Sequence, residues 1–144
     1  MLITVSGLGF AASHFLAGHP TCGRLHGHNY RVEIVCEGEP DDRGMVADFH
    51  DIRAAAAAVL DEVDHRTLLP GKSSEVSVAV EGDEVHVTGC KSLVLPREDV
   101  VVLPVRNTTC EELAVWLHDR LVEDVPSLVN VRLWENERSS AAYP

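Results

Sequence analysis

The chain has 144 residues, of which 45% are hydrophobic and 24% charged, and this length and composition predict one domain, residues 1–144, with its own hydrophobic core. The 23 acidic and 12 basic residues give a formal net charge of −11, which argues against nucleic acid or an anionic membrane surface as a direct partner. No apolar run approaches the roughly 20 residues that span a bilayer, and the N-terminus lacks signal-peptide features, so we expect a cytoplasmic protein.

The first half of the chain predicts two strands followed by a helix. Residues 2–12 are rich in apolar and small side chains, and residues 29–36 largely alternate apolar with polar ones, the period that is typical of a half-buried strand. The Gly, Pro and Asp content of residues 37–44 indicates a loop. Asp48 then suits the N-cap of a helix, because residues 51–64 include five consecutive alanines, the strongest helix former.

The next segment predicts a hairpin and a short strand. Residues 76–80 and 84–88 alternate on either side of Gly82-Asp83, which is typical of a tight hairpin turn. Residues 100–103 are apolar and end at a proline, so we expect another strand there.

The last segment predicts a second helix and a final strand. Thr108 and Glu111 have the spacing of a capping box, in which a hydroxyl and a carboxylate each accept a main-chain N–H, and apolar residues follow at helical spacing. Residues 129–134 are the last predicted strand. Because strands and helices do not alternate strictly, the order predicts an α+β fold with antiparallel pairing.

Three histidines form a candidate metal site. His26 and His28 are two residues apart on a predicted strand, so their side chains point to the same face. His14 lies at the end of the first predicted strand, which can pair with this one. Three neutral imidazoles with one open position are typical of catalytic zinc, whereas structural zinc usually has four protein ligands.

Cys22 leaves two interpretations of this cluster open. It lies four residues before His26, a spacing that allows its thiolate to be a fourth ligand in a closed structural site. It is equally placed to be a reactive thiol beside an open site. A His-x-His pair also occurs on protein surfaces without any metal.

Six motifs run from near the first residue to near the last: FAASHFL (10–16), CGRLHGHNY (22–30), GMVADFHDI (44–52), LDEVDHRTLL (60–69), NTTCEELA (107–114) and RLWEN (132–136). In these motifs and their order the chain resembles the 6-pyruvoyl-tetrahydropterin synthase / 6-carboxy-tetrahydropterin synthase family. The resemblance implies the tunnelling fold, an antiparallel β-sheet with two helices packed on one face. It also implies a homohexamer, a dimer of trimers, with active sites between subunits.

The resemblance implies a role for each matching residue around the metal. The zinc ligands are implied to be His14, His26 and His28. Cys22 matches the catalytic thiol of the family, which favours the open site. Asp64 and His65 match the Asp-His pair that a neighbouring subunit contributes, although Asp64 is also placed to cap a helix or to pair with Arg66.

The same resemblance implies a substrate pocket. Glu135 matches the carboxylate that anchors the pterin ring, and Thr109 with Glu111 falls in the pterin-pocket motif. The residues alone fit other roles equally well: Glu135 as a solvent-exposed charge and Glu111 as a helix-capping residue. For the triphosphate of the substrate, Arg24 and Arg66 are candidate cations.

The motif LHGHNY looks most like that of the 6-carboxy-tetrahydropterin synthase branch of the family. Enzymes of this branch convert 7,8-dihydroneopterin triphosphate to 6-carboxy-tetrahydropterin, acetaldehyde and triphosphate. That product leads to the 7-deazaguanine bases of tRNA, queuosine and archaeosine. The alternatives are 6-pyruvoyl-tetrahydropterin synthase, which eliminates triphosphate from the same substrate, and a non-catalytic, zinc-stabilised oligomeric module. Residues 71–104 receive no role.

Overall fold

Nine β-strands and two α-helices make up the chain in a computed structural model that describes residues 1–144. In chain order they are β1 (Leu2–His14), β2 (His26–Glu37), α1 (Phe49–Leu60), β3 (Arg66–Pro70), β4 (Val76–Glu81), β5 (Glu84–Gly89), β6 (Leu93–Pro96), β7 (Val100–Leu103), α2 (Cys110–Leu121), β8 (Leu128–Asn136) and β9 (Ser139–Tyr143). Neither α-helix combines the length and the hydrophobicity needed to cross a bilayer.

The main sheet has six strands in the order β7-β3-β1-β2-β8-β9. Its centre is the long antiparallel pair β1–β2, whose register places Ala12 opposite His28 and His14 opposite His26. The predicted strands 2–12 and 29–36 are therefore confirmed, and both extend to the histidines at the loop end of this hairpin. That extension brings three imidazoles to one end of the sheet.

The α+β class is confirmed, and the predicted antiparallel pairing holds for the main sheet except at β3. Strand β3 is parallel to both β1 and β7, and the remaining pairs of the main sheet are antiparallel. Parallel neighbours need a long crossover connection. Helix α1 lies in the connection from β2 to β3, and the strands β4–β6 lie in the connection from β3 to β7, so both long segments serve as crossovers.

Helix α1 begins where the sequence predicts. Asp48 is its N-cap, and the Asp48 carboxylate accepts a hydrogen bond from the main-chain N–H of His50. Ile52, Ala56 and Val59 are buried against the sheet, so the alanine run allows the helix to approach the strands closely. The helix ends at Leu60, earlier than residue 64, which leaves Asp64 in the turn that leads to β3.

Helix α2 begins one residue later than predicted, so the capping box at Thr108 and Glu111 is wrong. Thr109 is the N-cap and accepts a hydrogen bond from the N–H of Glu112. The buried hydroxyl of Thr108 instead donates to a main-chain carbonyl in the β1–β2 loop. The Glu112 carboxylate pairs with Arg106 and does not return to the cap residue, so no reciprocal box forms.

Two hydrophobic cores stabilise the molecule. Both helices bury their apolar faces in one core of 25 residues with the main sheet. Strands β4, β5 and β6 form a separate antiparallel sheet, which confirms the predicted hairpin. A second core of five residues joins that sheet to the end of β3 and to the start of the β1–β2 loop: Phe15, Leu69, Val76, Val85 and Val87.

Candidate metal centre and active site

The three histidines lie together at the end of the β1–β2 hairpin. His14 and His26 are directly opposite each other, and His28 is two residues along β2 on the same face. One ligand atom from each imidazole lies within 4.8 Å of the other two. The cluster contains neither Cys22 nor a carboxylate. The chain therefore has three histidine side chains that are able to hold one metal ion.

Main-chain carbonyls set the tautomers of two of these rings. Nδ1 of His14 lies 2.8 Å from the carbonyl oxygen of Thr108, and Nδ1 of His26 lies 2.7 Å from that of Arg24. A carbonyl only accepts, so each Nδ1 carries a proton and donates it. Nε2 of each ring therefore carries no proton and has a lone pair to offer a metal, which is the arrangement seen in most metal-binding histidines.

The third ring, His28, has an unpartnered nitrogen. Its Nε2 is buried without a hydrogen-bond partner, although Oε1 of Glu135 lies 3.2 Å away. That oxygen is close but lies outside the direction a hydrogen bond requires. A buried orphan nitrogen is costly unless it binds something, so this geometry fits a metal ligand.

Burial favours the neutral form of two of the three rings, His14 and His28, as metal binding requires. His14 is 1% exposed, and desolvation lowers its pKa from 6.5 to about 4. Desolvation is also the main cause that lowers the pKa of His28, with Glu135 acting in the opposite direction. Neutral imidazoles are the form that binds metal ions, so near neutral pH these two rings are in the binding form.

A buried tyrosine adjoins the cluster, and sequence reasoning missed it. The hydroxyl of Tyr30 lies 3.4 Å from both ring nitrogens of His14. Burial, and then the negative charge of Glu135, raise the pKa of Tyr30, so this phenol stays protonated. The signal was available, because His26, His28 and Tyr30 continue one period of two on one face of β2.

Cys22 lies in the loop that joins β1 to β2. Its main-chain N–H donates to Nδ1 of His19 at 2.9 Å, and its carbonyl accepts from the N–H of Leu16 at 2.8 Å. The thiol is free and partly exposed. Both main-chain polar groups of Cys22 are therefore hydrogen-bonded while its side chain remains accessible.

Asp64 and His65 are adjacent in space as well as in sequence. The Asp64 carboxylate accepts from the N–H of Ala11 at 2.8 Å and lies 2.9 Å from Nδ1 of His65, and these contacts lower the pKa of Asp64. Asp64 makes no ion pair with Arg66 and caps no helix. His65 has a left-handed backbone (φ 57°) and a side chain that is 82% exposed. The pair is preformed and lies outside the histidine cluster.

His65 shares a cavity of about 610 Å³ with His28 and Arg66. The other predicted pocket residues lie apart from each other. Glu135, at the end of β8, adjoins His28. Thr109 caps α2 and lines a different cavity, and Glu111 is exposed in the first turn of α2.

The chain is similar to known proteins over nearly its whole length. A family model described as 6-pyruvoyl tetrahydropterin synthase matches residues 3–144. A Pyrococcus abyssi protein, provisionally named as a 6-carboxy-5,6,7,8-tetrahydropterin synthase, is 37% identical over 140 residues, which cover 92% of this chain and 83% of the relative. The Haemophilus influenzae protein named 6-carboxy-5,6,7,8-tetrahydropterin synthase is 29% identical, covering 93% of this chain and 92% of its own.

The fold also has close relatives among solved structures. The crystal structure of 6-pyruvoyl tetrahydropterin synthase from Plasmodium vivax superposes with a TM-score of 0.90 and covers 99% of this chain and 96% of its own. The sequences are 24% identical, so this likeness establishes the fold.

Proposed function

This chain belongs to the 6-pyruvoyl tetrahydropterin synthase family and is an enzyme that acts on pterins, and from that premise we propose that it is a zinc-dependent 6-carboxy-5,6,7,8-tetrahydropterin synthase. Its substrate is 7,8-dihydroneopterin triphosphate, and its products are 6-carboxy-tetrahydropterin, acetaldehyde and triphosphate. The names of the relatives support the carboxy product. The supply of precursor for queuosine or archaeosine bases, in the cytoplasm, is part of this proposal.

The observation that carries the proposal is the histidine cluster, in which each ring has a nitrogen available to a metal. Two Nε2 lone pairs and the orphan nitrogen of His28 suit one zinc ion held by His14, His26 and His28. Bound there, zinc supplies Lewis acidity to the side-chain oxygens of the substrate and so acidifies the adjacent C–H. The absence of Cys22 from the cluster supports a site with an open fourth position.

The protein's own residues supply proton transfer next to this ion. Cys22 is accessible on an anchored loop, and its thiolate is the form that removes a proton. The Asp64 carboxylate holds the Nδ1–H of His65, so Nε2 of His65 is the atom that accepts or donates a proton. Cys22 is thus the base, and His65, oriented by Asp64, is a second group that transfers a proton in the same reaction.

Glu135 is the proposed anchor of the pterin ring. Its carboxylate has two acceptor oxygens, which match the adjacent N–H donors of the 2-amino-4-oxo ring in a bidentate contact. It lies next to His28, so a ring bound there presents its side chain to the metal. Thr109 and Glu111 are proposed to border this pocket in the assembled enzyme.

A homohexamer is the proposed assembly, with each site completed by the Asp64–His65 pair of a neighbouring subunit. The exposed ring of His65, outside the histidine cluster of its own chain, supports this arrangement. The two edge strands of the main sheet, β7 and β9, are free to pair with other copies.

Product analysis tests the function and its alternatives. Zinc-loaded protein is incubated with 7,8-dihydroneopterin triphosphate, and the products are identified by mass. Acetaldehyde with 6-carboxy-tetrahydropterin is the expected result. A 6-pyruvoyl product without acetaldehyde would establish the alternative activity, that of a 6-pyruvoyl-tetrahydropterin synthase. No turnover by the zinc-loaded oligomer would favour the second alternative, a non-catalytic oligomeric module.

A further inference from the structure

A cavity of about 340 Å³ lies between the β1–β2 loop and the second sheet. The loop contributes His19, Gly23 and Arg24, and the turn after β5 contributes Cys90 and Lys91. The second core, which includes Phe15 of the loop and Val85 and Val87 of β5, holds the two sides together. Residues 71–104, which had no role from the sequence, therefore form one wall of a cavity beside the Cys22 loop.

The cavity differs in charge from the rest of the molecule. None of the residues that line it is acidic, and they include Arg24 and Lys91. Four other cavities, of about 470 to 610 Å³, are each lined by at least one Asp or Glu. In a chain with 23 acidic and 12 basic residues, a basic cavity without a carboxylate is suited to an anion.

Lys91 is held in place without a counter-ion. Its ammonium donates one hydrogen bond to the carbonyl of Gly23 at 2.9 Å and lies 5.9 Å from the centre of the Phe15 ring. Two of its three N–H donors are left for a ligand. Neither Lys91 nor Arg24 forms an ion pair, whereas Arg106 and Arg120 do.

His19 adds a directed neutral donor. Its Nδ1 accepts from the N–H groups of Thr21 at 3.3 Å and Cys22 at 2.9 Å. The neutral ring therefore carries its proton on Nε2, which is a donor. Together with the two cations, this places three donor side chains around one cavity.

The position of the cavity matches the order of groups in the proposed substrate. Glu135 adjoins His28, and along β2 the chain passes from His28 to His26 and then into the loop. The cavity thus lies on the loop side of the histidine cluster, and Glu135, the proposed anchor of the pterin ring, lies on the opposite side. A ligand whose ring binds Glu135 and whose side chain reaches the histidines extends its phosphates toward the loop.

We propose that this cavity binds the triphosphate of 7,8-dihydroneopterin triphosphate and that Lys91, contributed by the second sheet, is its main phosphate ligand. The inference rests on the proposed function. Arg24 and the Nε2–H of His19 complete the subsite. By donating to the carbonyl of Gly23, Lys91 also links the phosphate subsite to the residue that follows Cys22.

Binding of two ligands that differ only in phosphate tests the assignment. Isothermal titration calorimetry is done with 7,8-dihydroneopterin triphosphate and with 7,8-dihydroneopterin, on zinc-loaded protein that carries Cys22→Ala so that the ligand is not consumed. Adding Lys91→Met is expected to weaken the triphosphate about 10- to 100-fold, because a charge-assisted contact is lost, and to change the phosphate-free pterin less than about twofold. Lys91→Arg should keep most of the affinity.

An exposed cation on α1, Arg53, is the control. It lines none of the five cavities, so Arg53→Met should leave the affinity for both ligands unchanged. Equal weakening of both ligands by Lys91→Met would assign Lys91 to holding the loop alone and overturn the proposal, as would no weakening of either. If the parent protein binds neither pterin, the proposed function fails; if it binds both equally, only the phosphate assignment fails.

Discussion

At the scale of single residues, the histidine cluster depends on hydrogen bonds that no motif specifies. The carbonyls of Thr108 and Arg24 hold the Nδ1–H groups of His14 and His26, so the ring positions are set before a metal arrives. Thr108 belongs to a segment about 90 residues away from His14 in the chain. The ligand types follow from the sequence, whereas their orientation follows from the fold.

His26→Ala should remove zinc. The variant loses one of three ligands. Mutating a residue that only hydrogen-bonds to a metal ligand lowers metal affinity by up to about 100-fold, so losing a ligand itself should lower zinc affinity by more than that. Metal content after gel filtration measures the effect. His50→Ala is the control, because His50 is exposed at the start of α1 and should leave about one zinc per subunit. Unchanged zinc in His26→Ala would contradict the assigned ligands.

Cys22→Ala should stop turnover and keep the metal. Removal of a proton-transfer group typically costs about 10²- to 10⁴-fold in rate. The cluster does not include this thiol, so zinc content should stay near one per subunit. Loss of zinc together with activity would show that Cys22 is a metal ligand. The alternative from the sequence, a closed site with Cys22 as fourth ligand, would then be correct.

The buried His14 makes the metal-free protein sensitive to acid. Its pKa falls from 6.5 in the unfolded chain to about 4 in the fold, so between these values the unfolded state binds more protons. Stability is therefore full above about pH 6.5 and is lost as the pH falls toward 4, by about 3 kcal/mol in total. Urea unfolding of metal-free protein at pH 7 and pH 5 should show about 2 kcal/mol of this loss, and His14→Gln should reduce it.

At the scale of elements, the helix starts illustrate how local signals compete. Thr108 and Thr109 both have side chains suited to an N-cap, and local sequence does not choose between them. The fold chooses Thr109, because the hydroxyl of Thr108 is buried and donates to the carbonyl of Phe15. Asp48 has no such competitor, and its predicted cap is confirmed.

Thr109→Ala separates two roles of this residue. As the cap of α2 it should contribute about 1 kcal/mol, which corresponds to a melting temperature lower by about 3–5 °C in a domain of this size. Thermal unfolding measures the cap, and the dissociation constant of 7,8-dihydroneopterin measures the proposed pocket contact. Weaker pterin binding is expected as well. A stability loss with unchanged pterin affinity would limit Thr109 to capping.

Three strands were missed because their patterns are weak. Strand β3 is buried along nearly its whole length, so it shows no alternation, and it ends in a proline. Strands β6 and β9 are four and five residues long, and β9 consists mostly of small residues. Long, strongly alternating segments such as β2 were predicted because one face is buried and the other is not.

At the scale of the whole molecule, our proposal divides the site between two subunits. The histidines and Cys22 occupy one end of the β1–β2 hairpin, while Asp64 is tied to Ala11 further along β1. The Asp64–His65 pair is oriented but faces outward. An oligomer would supply each cluster with a pair from another chain.

Mixing two inactive variants tests this division. Cys22→Ala and His65→Ala should each be inactive as pure proteins. After co-refolding, mixed oligomers should regain part of the wild-type turnover, because some interfaces then contain an intact Cys22 and an intact His65. Mixed oligomers verified by mass spectrometry that stay inactive would place both residues in the same subunit's site.

The sequence by itself determined the α+β class, most of the strands and helices, and the residue types of the candidate metal site. These features follow from local periodicity, capping and motif spacing, which act over a few residues. Only the tertiary structure decided the parallel pairing of β3, the tautomers of His14 and His26, and the contact of Lys91 with Gly23 across 68 residues. Such contacts depend on how the chain returns through its crossovers, and no local pattern encodes that path.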